Sequence, residues 1–387
     1  ITFGTHFSHD DSDMSVFTAY FCGTGSHRFD DTNTNFWNGE LVSTLASHDQ
    51  GREFAHWVAV DGPGSGNLQD DSLFVDPGGY YNWTGQLFGR GWEENVSHVL
   101  QIIKGESRWQ RTKLSEAEYK RLKDAGVPVP EVASTASWFW RTYDYGDRHP
   151  TPQELQERII HLFRKPRVPT QVNLVGWSRG GISCHMLANA MAKDPELCDV
   201  PVNIFTIDPV PGIGNVQPER VMLPGNVREY VGFYSRDERS KGFACVVPGV
   251  QPGTRISVFP MPGRHATLVG NASVDGAGSG EVLVEPGLVV RHYAEVCLRR
   301  WGVELAKCLN LSDGQVMAYH KAMADCEDRY QAKRRASYTL VTEGSPDDRL
   351  LHQGTRQTTF SHVRGDPYRP AAGLGLNQCD GDTYKAL

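Results

Sequence analysis

The sequence predicts an α/β fold in which a mainly parallel sheet is flanked by helices. Short apolar runs of strand character occur at 16–21, 172–175, 202–207, 227–234 and 255–262. Apolar residues recur at helical spacing directly after the second run and again just ahead of residue 105. Strands that alternate with helices favour a parallel sheet, since parallel neighbours need a crossover connection. A chain of 387 residues is long enough to bury such a core.

The helix expected first is GWEENVSHVLQIIKG at 91–105. Its apolar side chains fall on one face, which predicts packing on the sheet; they are Trp92, Val96, Val99, Leu100 and Ile103. Thr151, with Glu154 three residues later, predicts the capped start of a second helix over 151–165. That helix should lead into the strand at 172–175.

We expect one α/β domain over residues 1–302 with a helical insertion at 106–150. The insertion contains SEAEYKRLKDAG, a charged stretch of helical character. It also contains an aromatic cluster made up of Trp138, Phe139 and Trp140. Two interpretations of this cluster stay open. It forms a lid or membrane-facing patch that meets the substrate, or its rings are core residues that anchor the insertion.

A C-terminal extension is expected over residues 303–387. Its first part, 312–338, has helical and solvated character, and 341–387 is rich in turn-forming residues. The extension is a candidate cap for a site on the main domain.

Composition excludes several classes of function. The 39 Lys and Arg against 46 Asp and Glu give a net charge of −7, and no basic run occurs, so nucleic-acid binding is not expected. No apolar stretch approaches the roughly 18 residues of a membrane-spanning helix, and ITFGTHFSHDDSDMS is unlike a signal peptide, so we expect a soluble protein. The eight cysteines form no C-x-x-C pair, which argues against a zinc site and favours reduced thiols.

Ser178 is the candidate nucleophile. It lies in VNLVGWSRGGISCHMLANAM at 172–191, between Gly176 and Gly180, where an apolar strand turns sharply into a helix. A serine is presented above a sheet edge only if the chain reverses beneath it, which requires neighbours without colliding side chains. The alternative is a serine in an ordinary turn between a strand and a helix.

A nucleophilic serine needs a histidine base and a carboxylate, which follow it in chain order on this kind of sheet. Asp208 ends the run at 202–207, and His265 follows the last run in a glycine-rich loop. The carboxyl ends of parallel strands share one edge of the sheet, so these residues are expected within reach of Ser178. Rival acids are Asp237 and Glu238, after the third run, and minor rival bases are His352 and His362.

Acyl transfer also needs donors for the oxyanion that develops. One candidate is the backbone amide of Arg179, directly after the serine. The others lie in the loop CGTGS, where Gly23, Thr24 and Gly25 follow the run at 16–21. A phosphate-binding loop is the rival interpretation, but the stretch lacks the G-x-x-x-x-G-K-[ST] pattern.

With these residues assembled, the chain resembles a family of α/β-hydrolase domains that includes phospholipase effectors of bacterial type VI secretion. The family opens with F-D-G-T-G-N, here YFCGTGS, and later has a second glycine loop, here AVDGPGSGN. Its elbow is G-F-S-R-G-A, here GWSRGG, and its acid lies in W-D-T-V-G-S, here TIDPVPGIG. The segments A-L-D-E-R-R and F-P-G-V-H correspond to SRDERSK and FPMPGRH. Cys22 replaces the family's Asp, Pro209 replaces its Thr, and ATLVGN follows His265 where the family has Asp and Gly-Gly-Gly-Tyr.

The resemblance covers about residues 16–300 and implies a catalytic triad of Ser178, Asp208 and His265, with Asp208 chosen over Asp237. It also implies lipid-ester hydrolysis without metal or organic cofactor, peripheral contact with a membrane, and an immunity or secretion-apparatus partner. Hydrolysis of soluble esters or thioesters is the alternative, and a non-catalytic binding module on a hydrolase scaffold is a further one.

Overall fold

A computed structural model describes most of the main domain and parts of the insertion and extension. The described residues are 15–62, 92–105, 133–137, 140–144, 159–164, 166–212, 214–271, 282–334, 348–363 and 382–387. Six strands form one sheet, flanked by helices on both faces. The predicted α/β fold with a parallel sheet is confirmed.

The six strands are β1 (Val16–Phe21), β2 (Trp57–Val60), β5 (Gln171–Trp177), β6 (Val202–Ile207), β7 (Val227–Ser235) and β9 (Arg255–Met261). They lie in the order β2-β1-β5-β6-β7-β9, and every neighbouring pair is parallel. Trp177 on β5 is opposite Ile207 on β6, and Ile207 is opposite Phe233 on β7. The residues that follow these strands therefore meet at a single edge.

In the described part of the chain, at least two helices pack on each face of the sheet. On one face lie α2 (Trp92–Lys104) and α3 (Arg179–Lys193), and on the other lie α1 (Leu41–His48) and α5 (Glu285–Arg300). Of the face predicted for α2, Val96, Val99 and Ile103 are buried, whereas Leu100 is half-buried. Helix α4 (Pro218–Val221) is a single turn packed against α3. These helices pack on both faces of the central strands, beneath the edge where the strands end.

The described part of the insertion is a hairpin of two antiparallel strands, β3 (Ala133–Ser137) and β4 (Trp140–Asp144). The stretch at 115–126 that is predicted to be helical lies outside the described residues. Of the predicted helix at 151–165, residues 159–163 are helical, and Thr151 and Glu154 lie outside the described part.

The extension contains helices where the sequence predicts them, α6 (Asp313–Asp325) and α7 (Glu327–Lys333). Further on, the structure differs from the expectation of turns. Strands β10 (Leu350–Gln353) and β11 (Arg356–Thr359) form a hairpin, with Gly354 at a φ of +56° in the turn, and β10 pairs with β8 (Cys245–Val247) of the main domain. The pairing of β10 with β8 stabilises these strands, although the stretch is rich in turn-forming residues. The local sequence pattern does not indicate this pairing.

In the part of the chain that the structure describes, no helix is both long enough and apolar enough to cross a bilayer.

Candidate active site

Ser178 stands at the turn between β5 and α3, with a φ of 55° and a ψ of −127°. Only four non-glycine residues in the described ranges have a positive φ, and Asp208 is another of them. Such a backbone costs on the order of 1–3 kcal/mol and persists only where the surroundings impose it. The combination of strand, strained serine and helix is the geometry of a nucleophile elbow.

The glycines on either side permit this turn. A Cβ atom on Gly176 would lie 2.4 Å from the carbonyl oxygen of Gly180, and one on Gly180 would lie 2.2 Å from that of Phe21. A side chain at either position would collide with backbone, which cannot move aside. The G-x-S-x-G spacing therefore has a steric cause here, which an ordinary turn would not require.

Asp208 follows β6 directly beside this turn. The backbone N–H of Ser178 donates to the carbonyl of Ile207 (3.0 Å), and that of Val210 donates to the carbonyl of Ser178 (3.1 Å). Asp208 is completely buried. Its Oδ1 accepts from the backbone N–H of Ser235 (3.0 Å), and its Oδ2 accepts from the Ser235 hydroxyl (3.0 Å).

His265 begins a short 3-10 helix (His265–Val269) after β9. Its Nδ1 lies 2.6 Å from Oδ2 of Asp208. The imidazole is buried between two aromatic rings, with centroid distances of 5.0 Å to Trp177 and 4.9 Å to Phe243. The hydrogen bond and the rings together fix the orientation of the imidazole.

The Asp208 carboxyl is ionised at neutral pH. Burial opposes its ionisation, but the charge of Arg349 and the hydrogen bond from His265 outweigh burial and lower the pKa of Asp208 to about 2. A carboxylate only accepts hydrogen bonds, so the hydrogen between the two side chains is on Nδ1. In the neutral imidazole the lone pair is then on Nε2, which is the nitrogen a general base uses toward a serine.

The rival acids Asp237 and Glu238 accept hydrogen bonds from backbone N–H groups near His265, and Glu238 accepts one from the backbone N–H of His265 itself (3.5 Å). Oδ2 of Asp237 accepts from the backbone N–H of Gly263 (2.8 Å), and its Oδ1 accepts from Nε of Arg334 (2.6 Å). Glu238 accepts from the backbone N–H of Ser240 (2.7 Å). Gly263 has a φ of +105°, and its hydrogen bond to Asp237 stabilises the tight turn that leads the chain into His265.

The minor rival bases lie in the C-terminal hairpin region. His352 is in β10, and Nδ1 of His362 lies 2.6 Å from the hydroxyl of Thr359 on an exposed surface.

The proposed oxyanion donors lie beside the elbow. The Arg179 guanidinium donates to the Thr24 hydroxyl (2.6 Å), which ties the loop after β1 to the start of α3. A Cβ on Gly23 would lie 2.3 Å from the Trp177 ring, so the loop packs closely against the residue before Ser178. Gly25, in the same loop, has a φ of +74°. Burial lowers the pKa of Arg179 to about 10, which leaves its guanidinium charged at neutral pH.

Trp138 and Phe139 lie outside the described residues, and Trp140 is described only as the first residue of strand β4. No group of three or more His, Cys, Asp or Glu side chains that would hold a metal ion occurs within the described ranges.

Sequence reasoning missed Arg349, the residue just before β10. Its guanidinium is buried and donates to both oxygens of Asp208, at 2.5 Å to Oδ1 and 2.9 Å to Oδ2. Arg349 lies in a turn-rich stretch, and only the leucines that follow it hint at burial. Ser235 was also missed, although it directly follows the strand predicted at 227–234, which neighbours that of Asp208.

No family model matches the chain, and no curated protein matches it. Its fold is similar to that of an uncharacterised protein from Pseudomonas aeruginosa, with 12% identity, a TM-score of 0.46, and coverage of 84% of this chain and 50% of that chain. A second similar structure is the Tle1 effector bound to the VgrG spike from the type 6 secretion system, with 11% identity, a TM-score of 0.33, and coverage of 67% and 51%. The chain thus matches about half the length of each protein, at a similarity too low to indicate function.

Proposed function

We propose that this protein is a serine hydrolase that cleaves carboxyl esters, with Ser178 as nucleophile, His265 as base and Asp208 as the orienting acid. The observation that carries the proposal is the 2.6 Å contact between His265 and Asp208, at the sheet edge where Ser178 stands in a strained turn. Each of the three residues follows a different strand, and all three are nearly or completely buried. This arrangement supports acyl transfer better than it supports a plain binding module.

In the proposed reaction, Ser178 Oγ attacks the ester carbonyl while Nε2 of His265 takes the hydroxyl proton. The imidazolium gives that proton to the leaving alcohol, and an acyl-serine ester remains. Water then attacks the acyl group with the same base, which releases the acid and restores Ser178. Asp208 stays ionised throughout, in keeping with its pKa of about 2, and stabilises the imidazolium.

The negative charge on the carbonyl oxygen needs donors at fixed positions. We place this role on the backbone amide of Arg179 and on the loop of Gly23, Thr24 and Gly25. The hydrogen bond from the Arg179 side chain to Thr24 supports this placement, because it holds the loop against the elbow. Donors fixed in advance avoid a reorganisation cost during the reaction.

The substrate class we propose is a lipid ester. Support comes from the likeness of GWSRGG, TIDPVPGIG and FPMPGRH to the hydrolase family that includes phospholipase effectors. The aromatic residues Trp138, Phe139 and Trp140 suit contact with a membrane surface, since such rings settle at the level of the headgroups. Delivery by a secretion apparatus, with an immunity partner, is the biological setting we propose on the same basis.

Labelling with a fluorophosphonate tests the nucleophile. The reagent should form a bond between phosphorus and Ser178 Oγ with loss of fluoride, and peptide mapping should find it there. Ser178→Ala should abolish labelling and lower ester turnover by on the order of 10⁴-fold or more. The matched control is Ser183→Ala, which removes a buried hydroxyl from α3, the helix that follows Ser178, and should leave labelling intact. Undiminished labelling of Ser178→Ala would contradict the assignment of Ser178 as the nucleophile.

The substrate class is tested by comparing phospholipid vesicles with a short soluble ester. Replacement of Trp138 and Trp140 by Ala should weaken vesicle binding and phospholipid cleavage but spare the soluble ester. If both activities fall together with the melting temperature, the rings are core residues. If the wild type cleaves the soluble ester and leaves vesicles untouched, the substrate is a soluble ester.

A further inference from the structure

Arg349 belongs to the C-terminal extension, yet it contacts the acid of the candidate triad. Besides both oxygens of Asp208, it donates to the backbone carbonyl and the hydroxyl of Ser235 and to the carbonyl of Phe243 (2.8 Å). Ser235 is itself a donor to Asp208, and the ring of Phe243 packs on His265. The guanidinium therefore contacts Ser235, which also donates to Asp208, and Phe243, whose ring packs on His265.

The backbone around Arg349 is held in place independently. The next strand pairs with β8, where Leu351 is opposite Cys245, and Leu351 is completely buried. On the other side, the Asp348 carboxylate accepts from the backbone N–H of Ser361 (2.8 Å). The Phe360 ring lies 5.6 Å from the guanidinium carbon. The β10–β11 hairpin and its contacts therefore hold Arg349 in position next to Asp208.

Arg349 fixes the rotation of the carboxylate. Its two-pronged contact sets the plane of the Asp208 carboxylate, because a planar guanidinium matches a carboxylate only in one plane. Oδ2 is then directed at Nδ1 of His265. A lysine at this position would supply the charge at a single point and would leave the carboxylate free to turn.

Arg349 also partly neutralises the negative charge of Asp208 that acts on the His265 imidazole. An imidazolium beside an isolated buried carboxylate is strongly stabilised, whereas one beside a carboxylate already paired with a cation is stabilised less. Loss of the guanidinium therefore favours the protonated imidazole. The pH at which a neutral base becomes available then rises.

The other ionisable groups around the pair do not supply this balance. Burial raises the pKa of Cys245 to about 12 and that of Tyr234 well above its usual value, so both are neutral. Glu238 and Arg264 form a buried pair of opposite charge, 3.4 Å apart, behind the backbone of His265. Among the described residues, further charged groups in the surrounding loops include Arg236, Asp237, Arg239, Glu327, Arg334 and Asp348.

We propose that Arg349 is a positioning residue for the hydrolase: the C-terminal extension supplies a guanidinium that orients Asp208 toward His265 and limits how firmly the imidazole holds its proton. This inference rests on the proposed function. It gives the extension a part in the chemistry, which a cap alone would not have.

The test is the pH dependence of fluorophosphonate labelling at Ser178 in the full chain. Arg349→Met should lower the plateau rate by up to about 100-fold and move the acid limb of the rate profile upward by about one pH unit or more. Arg349→Lys keeps the charge, so its acid limb should stay near that of the wild type while its rate falls roughly 10-fold. The matched control, Arg300→Met, breaks another bidentate pair with a carboxylate and should change neither.

An unchanged rate and profile in Arg349→Met overturns the inference, as does an equal loss in Arg300→Met. Should Arg349→Met fail to fold, Arg349→Lys decides, and a rate equal to that of the wild type overturns the orienting role. Failure of the proposed function looks different, because the wild type itself then goes unlabelled at Ser178. In that case the low-field proton signal of the His265–Asp208 hydrogen bond still reports on orientation. The signal should weaken in Arg349→Met, and its persistence unchanged contradicts the inference.

Discussion

Two bidentate ion pairs lie at opposite ends of the central sheet. At the carboxyl end, Arg349 holds Asp208 beside the last residue of β7; at the amino end, Arg300 donates to both oxygens of Glu229, at 2.8 and 2.7 Å, near the start of that strand. The Asp208 pair is enclosed, whereas the Arg300 side chain is 33% exposed. Glu229 also binds Arg255 (2.8 Å) and the indole N–H of Trp301 (2.8 Å).

The same kind of bidentate ion pair therefore has a different role at each end of the sheet. The Glu229 pair links the sheet to helix α5 and the residue after it, and a second arginine, Arg255, shares the charge. The Asp208 pair includes a histidine and stands where parallel strands end, which is where ligands bind in such sheets. An ion pair gains a chemical role from its position and from the third group it orients.

The largest expected difference between the two ends is catalytic. Asp208→Asn should lower ester turnover by about 10⁴-fold, because an amide at this position favours the wrong tautomer of His265. Glu229→Gln should stay within about 3-fold of the wild type, as should Asp237→Asn, whose carboxylate contacts Gly263. Steady-state kinetics with a soluble ester measure all three variants. A larger loss in Asp237→Asn than in Asp208→Asn would move the acid to the end of β7.

The second difference is in stability. Arg349→Met leaves a buried carboxylate without its cation and should lower the free energy of unfolding by about 3–5 kcal/mol. Arg300→Met leaves the buried Glu229 carboxylate still paired with Arg255 and Trp301, so the loss should be about 1 kcal/mol or less. Urea unfolding at neutral pH compares them. Equal losses would show that burial does not distinguish the two ends.

The smallest effect is the pH dependence of that stability. The folded pKa of Asp208, about 2, is below the ordinary value of about 3.9 in an unfolded chain. Its ionisation therefore stabilises the fold above about pH 4, by about 2–3 kcal/mol, and this contribution disappears as the pH falls towards 2. The gap in unfolding free energy between wild type and Arg349→Met should narrow over that range. A gap that is constant down to pH 2 would contradict the assignment of the shift to Arg349.

The sequence predicts the main sheet well because each central strand is an apolar run with a clear stop. Strands β1, β6, β7 and β9 begin where they are predicted to begin, and β7 and β9 end within a residue of the prediction. The elbow is also predictable, since Gly176 and Gly180 are needed locally. These features depend on neighbours in the chain, which a sequence pattern records.

The contact that the C-terminal extension makes with Asp208 through Arg349 is not predictable from local sequence patterns. Arg349 is 141 positions from Asp208, and its burial depends on the pairing of β10 with β8. A lone arginine in a turn-rich stretch is typical of a solvated surface, so local pattern favours the wrong environment. Spacing alone favours Asp208 over Asp237 as the acid but does not exclude Asp237, because both follow strands that end at the same edge.

The distance along the chain between Asp208 and Arg349 also has a consequence for how the protein is made. Translation at about 5–20 residues per second separates their synthesis by roughly 7–28 s. Throughout that interval the nascent chain already contains Ser178, Asp208 and, for most of it, His265, but lacks the cation that completes their surroundings. Asp208 gains its Arg349 partner only after the β10 hairpin is made, so the surroundings of the carboxylate are completed only then. The proposed active site, whose proposed substrate is a lipid ester, is therefore completed late in the synthesis of the chain.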